Sequence, residues 1–159
     1  MEQKALSKWL KVILIGVFLC ALAGYFYILP EFGKSIVNGA PEFSGWYWPW
    51  LIFLWCTGLP CYTALFFGWK IAVNIGNDRS FTMENAKLLK WISWLAEGDA
   101  LFFFIGNIIL GLLGMNHPGV ILASMLVVFA GVAIAVAAAA LSHLVKKAAA
   151  LQEESDLTI

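Results

Sequence analysis

From Ala100 to Val145 the chain runs 46 residues without one Asp, Glu, Lys or Arg. As a single helix this stretch would be about 69 Å long at 1.5 Å per residue, more than twice the roughly 30 Å of a bilayer's hydrocarbon core. It must therefore fold back, and Gly114-Met115-Asn116-His117-Pro118-Gly119 places turn-forming residues near its middle. Two further uncharged stretches, residues 12–30 and 43–69, come earlier, each long enough for one crossing. The expected fold class is an all-α integral membrane protein, a four-transmembrane-helix bundle forming one domain. Its spans fall at about 10–29, 48–69, 91–113 and 120–144, with an outer loop 30–47, a linker 70–90 and a tail 145–159. Pro30 is expected to end the first helix.

Composition agrees: 62% of residues are apolar and 13% charged, with mean hydropathy +0.84, against roughly 45–50% and 25% in soluble domains. The lipid bilayer is the partner this composition demands. Net charge is +0 and the basic residues form no single patch, which argues against direct nucleic-acid binding.

Nine of the ten basic residues fall on one side of these spans: Lys4, Lys8, Lys11, Lys70, Arg79, Lys87, Lys90, Lys146 and Lys147, with Lys34 alone on the other. The positive-inside rule then places both termini and the 70–90 linker in the cytoplasm. The first apolar run resembles a signal peptide, with Ala21-Leu22-Ala23 as a cleavage-like motif, but it continues through Leu29, beyond a usual signal core. It reads as a retained span.

Cys20, Cys56 and Cys61 lie in apolar runs and read as small hydrophobic fillers. His117 sits in the outer turn and His143 near the inner end of the fourth span, both reading as solvated, and neither has a second ligand at metal spacing. No metal, cofactor or catalytic motif is visible: G-x-S-x-G, H-E-x-x-H and a phosphate loop are all absent. The chain does not read as an enzyme.

Glu97 and Asp99 depart most from a bland apolar span, because intramembrane carboxyls are costly and default to a functional hypothesis. Two residues apart, they project about 200° from each other and cannot form one paired acid. With Asn107 they make a candidate intramembrane polar site, the alternative being ion pairing to Lys70 or Lys11 or exposure at the interface. Gly58 and Pro60 form a candidate hinge in the second span, with Thr57 placed to satisfy part of the freed backbone. In the fourth span Gly131, Ala135 and Ala139 recur every four residues, suiting close helix packing or a homo-oligomer seam.

In the linker, Thr82 can cap a helix that runs into the third span, and Glu84 suits its first turn. Linker and tail form a cytoplasmic docking surface, with Phe81, Glu84, Asn85, Asp156 and Leu157 as candidate contacts. Residues Gly76 to Asn85 with Ala86-Lys87-Leu88-Leu89, and the closing Asp156-Leu157-Thr158-Ile159, resemble the YoaS-like family of small bacterial membrane proteins, also called domain of unknown function 2975. Ser155 departs from that pattern, where asparagine or glutamine is expected. The resemblance implies a bacterial cytoplasmic-membrane protein with no established activity, often encoded beside a small helix-turn-helix regulator. The expected function is then a sensor or modulator that binds such a transcription regulator, or a related self-immunity protein. The competing expectation is a small oligomeric transporter or channel using Glu97 and Asp99.

Overall fold

The computed structural model describes residues 2–116 and 118–156. Among them there is no strand, and four helical stretches are long and apolar enough to cross a membrane: Gln3–Gly39, Pro41–Gly76, Met83–Leu112 and Gly119–Ser155.

The first stretch comprises α1 (Gln3–Ala23), a π turn (Gly24–Ile28) and α2 (Leu29–Gly39). Pro30 does not end the helix. It has no N–H to give, and the backbone adjusts one turn upstream by widening to the π register, with the Leu29 N–H bonding to Gly24 O. Pro30 then occupies the first turn of α2, where a missing donor costs little. The shift orphans the Tyr25 carbonyl, since Leu29 donates to Gly24 and Pro30 donates nothing. The Trp55 indole N–H supplies the missing bond at 3.0 Å.

A 3₁₀ segment, Pro41–Trp46, leads into α3 (Tyr47–Gly76), which runs unbroken through Pro60. Beyond it Asp78, at φ 57°, takes the left-handed conformation that Asp tolerates, and the Arg79 N–H bonds back to Asn74 O at 2.9 Å. The Thr82 hydroxyl accepts the Asn85 N–H at 3.2 Å, the expected cap, and starts α4 (Met83–Leu112). Gly114, at φ +70°, stops α4, with the Met115 N–H reaching back to Leu110 O. From there α5 (Pro118–Asp156) continues for 39 residues, about 58 Å at 1.5 Å per residue, well beyond one bilayer crossing.

The transmembrane helices form an open row and not a closed bundle. Among the described residues, Cα atoms of different long helices approach within 8 Å only for α1 with α3, α3 with α4 and α4 with α5, together with α2 against α3. The solvent-accessible surface is 10430 Å², against about 7,900 Å² for a compact monomer of this mass. Many large apolar side chains contribute to that surface, among them Trp9, Phe26, Leu112, Leu122 and Phe129, which suits a hydrocarbon surround.

Small and hydroxyl residues hold the two outer joints of the row, α1 to α3 and α4 to α5. Ser7 donates to Ala72 O at 2.6 Å between α1 and α3, where Gly76 leaves room for the Ser7 side chain. Ser93 donates to Ala135 O at 2.8 Å and Ser142 to Ala86 O at 2.7 Å, joining α4 to α5. Gly131 lies directly on Ala100. Gly131 and Ala135 of the small-residue stripe thus pack against α4 of the same chain, while Ala139 is exposed and Ala138, outside the stripe, is the buried residue one turn further on. Polar side chains bonding to neighbouring carbonyls suit a medium in which no water can satisfy them.

Candidate functional site

Lysine marks one end of the row. Lys11 lies over the Trp69 ring at 5.8 Å, Lys70 over Phe66 at 4.9 Å and Lys90 over Trp94 at 4.7 Å. Long cationic stems lying on aromatic rings are the usual furniture of a membrane interface. Asp99 is five residues beyond Trp94, about 7.5 Å deeper along α4.

Neither expected ionic partner reaches Asp99. The described ion pairs are Lys34–Glu31 at 2.7 Å and Arg79–Glu84 at 3.7 Å, both exposed. Asp99 Oδ1 is buried without a hydrogen-bond partner, and so is the Tyr62 hydroxyl. Beside Asp99 α3 brings Cys56 and Pro60, with Cys61 next along the helix, and the π turn between α1 and α2 carries Tyr25. The Tyr25 hydroxyl bonds to Thr57 Oγ1 at 2.9 Å, and the Tyr25 ring packs beside Gly58. A cavity of about 320 Å³ opens between α3 and α4, lined by Cys56, Pro60, Trp94, Leu95, Gly98, Asp99 and Phe102.

The other candidate positions are not brought to this point. Glu97 is exposed on α4, on a different face from Asp99. Asn107 is buried but serves the turn at the far end of α4: its amide donates to Phe103 O at 2.8 Å, and its Oδ1 accepts from Asn116 at 3.1 Å. Thr57 does not rescue the carbonyl that Pro60 frees, which belongs to Cys56; its hydroxyl donates to Leu54 O at 2.7 Å.

A second cavity, about 460 Å³ and almost wholly apolar, lies at the end opposite the lysines. Phe32, Gly33 and Ile36 of α2, Trp46, Trp50 of α3, and Val120 and Ala123 of α5 all face it. Its size and lining fall in the range of small-molecule sites.

The family model described as protein of unknown function, DUF2975, matches residues 33–159. The chain belongs to the DUF2975 family. An uncharacterized membrane protein, YoaS, from Bacillus subtilis (strain 168) is 28% identical over 153 residues, covering 95% of this chain and 96% of its own length. No solved structure matches the chain. The part matched to DUF2975 includes Pro60, Asp99 and the linker, while Tyr25 and its π turn precede it.

The linker motif that carries the DUF2975 resemblance proves to be partly internal. Phe81 and Glu84 are exposed, as a contact surface requires. Asn85 is not: it is 1% exposed, and its side chain accepts from Asn74 at 2.8 Å and donates to Arg79 O and Ser80 O at 2.9 and 3.0 Å. Both amide hydrogens and one acceptor site are spent closing the linker onto itself, so it leaves the docking surface. Asp156 is the last residue of α5; its side chain, Leu157 and His117 lie outside the described residues. His143 is exposed.

Proposed function

We propose that this DUF2975 protein is a non-enzymatic sensor or modulator of the bacterial cytoplasmic membrane, with both termini inside the cell. The observation that carries the reading is α5. The same unbroken helix lines the apolar cavity with Val120 and Ala123 and, some 30 residues later, forms the tail beside Lys146 and Lys147. A ligand filling the cavity would bear on one end of a rigid rod whose other end is the docking surface. The asymmetry of basic residues supports the orientation, since Lys4, Arg79 and Lys147 all belong to the lysine end.

The partner proposed for the tail and linker is a small cytoplasmic transcription regulator, taken up by exposed Phe81, Glu84 and the α5 extension. A transport role draws support from Asp99, yet the open row encloses no pore within one copy, so it would need several. In-cell photocrosslinking from residues 81 and 151 tests the sensor reading. It should capture one DNA-binding protein, with the yield from residue 151 falling about tenfold in Phe81→Ala, an exposed apolar contact removed at constant fold. Capture of lipid and copies of the chain alone would overturn it.

A further inference from the structure

We propose that the cavity between α3 and α4 is a binding site for a lipophilic organic ammonium, with Asp99 as its counter-charge. This goes beyond the sensor reading and does not depend on it.

Three independent features converge there. First, Asp99 supplies an acidic group inside the row whose Oδ1 has no hydrogen-bond donor, while Lys11 and Lys70 lie over the Trp69 and Phe66 rings outside the cavity and Lys90 lies over Trp94 at its rim without pairing to Asp99. A buried acceptor without a donor is costly in a membrane and is relieved by a ligand that brings one. Second, Pro60 has no N–H, so the Cys56 carbonyl loses its helical donor, and both residues line the same cavity. That is a second acceptor, on a residue that lines the same cavity as Asp99. Third, Phe102 and Trp94 flank Asp99 along α4 and give the cavity aromatic walls, which attract cations through their ring faces. Lys90 already holds one face of Trp94, which leaves Phe102 as the principal aromatic contact.

The donor set selects the ligand class. One carboxylate and one carbonyl fall far short of the six to eight oxygens of a calcium site or the octahedron of magnesium, and no group of three metal-ligating side chains occurs among the described residues. A primary ammonium offers three N–H donors and one positive charge, which matches a carboxylate, a carbonyl and a ring. The remaining lining, Leu95, Gly98 and Pro60, is apolar and suits an alkyl or aromatic body entering from the bilayer. Anions find no positive charge in this lining beyond Lys90 on the Trp94 ring, and its side-chain donors are limited to the Trp94 indole N–H and the weak Cys56 thiol, too few for a sugar.

The test uses the full chain in phosphatidylcholine nanodiscs and monodansylcadaverine, a fluorescent primary amine, followed by fluorescence anisotropy. Saturable binding is expected, weakened at least about tenfold in Asp99→Asn, since a charge-assisted bond in low dielectric is lost. Pro60→Ala, which returns a donor to the Cys56 carbonyl, should weaken binding about threefold. Glu97→Gln should bind as the parent does, and the N-acetylated probe should not saturate. Thermal melting of each variant separates loss of binding from loss of fold. Equal affinity of Asp99→Asn and parent, or equal saturation by the acetylated probe, would overturn the proposal. Loss of the crosslinked regulator would leave these binding results unchanged, so the two readings fail separately.

Discussion

Replacing Asn85 by alanine is expected to destabilise the protein by about 3 kcal/mol, measured by sodium dodecyl sulfate unfolding in mixed micelles. The side chain makes three hydrogen bonds, to Asn74, Arg79 O and Ser80 O, and truncation strands all three partners around a site that is 1% exposed. Each stranded partly buried group costs about 1–3 kcal/mol, less where water can enter the gap. Asn85→Asp should be nearly as harmful, because it keeps the acceptor for Asn74 but turns a donor into a negative charge facing two carbonyls. Thr82→Ala removes only the cap and should cost about 1 kcal/mol. A loss below about 0.5 kcal/mol for Asn85→Ala would show that the linker is not closed by this residue, and would return Asn85 to the surface available for docking.

Substituting Gly106 by valine should cost about 2–3 kcal/mol in the same assay. The Phe53 ring of α3 rests on the Gly106 backbone so closely that even one added carbon would overlap it. Phe53 cannot slide away freely, being stacked on Phe103 at 5.8 Å with an interplanar angle of 4° and tilted against Phe102 at 5.2 Å. Gly106→Ala should also destabilise, though less than valine, because its Cβ already overlaps the Phe53 ring and about 1 kcal/mol of helix propensity offsets only part of that clash. Phe53→Leu should recover much of the valine penalty when the two are combined, a coupling that a double-mutant cycle reads directly. Independent, additive losses would mean that α3 and α4 are not joined through this ring.

The distribution of charge explains why so much of the architecture was legible beforehand. Gaps between charged residues gave the spans, because a charge inside hydrocarbon is costly whatever the helix packs against. The Gly114 stop and the Thr82 cap were readable for a local reason, since each depends on the backbone of its own few residues. Packing between spans was not readable. In lipid, a residue facing a neighbouring helix and one facing an acyl chain are equally apolar, so periodicity does not reveal which helices touch, and the expected bundle is an open row. Pro30 misled for a related reason: its effect was absorbed by a π turn and by the Trp55 indole, a residue 25 positions away.

The candidate site was legible in its acid and its proline but not in its surroundings. Asp99 and Pro60 stand out by chemistry alone, and the structure places both on one cavity. Tyr25 and Tyr62 sit in aromatic-rich apolar runs where nothing distinguishes a buried hydroxyl from a ring in lipid, and only the fold brings them inward. Asn85 failed in the opposite sense, since a polar residue in a linker reads as exposed until its three partners are known.

In the proposed sensor α5 transmits occupancy of the apolar cavity to the tail, and filling that cavity tests this coupling most directly. Ala123→Phe projects a ring into the space that Val120, Trp50 and Ile36 enclose, while Leu126→Phe adds similar bulk at an exposed position of the same helix. In-cell photocrosslinking from Leu151 should change by about threefold or more in Ala123→Phe and stay level in Leu126→Phe, as expected when occupancy biases one of two tail arrangements. Equal crosslinking in the parent and both variants would contradict the coupling, and with it the proposed sensor.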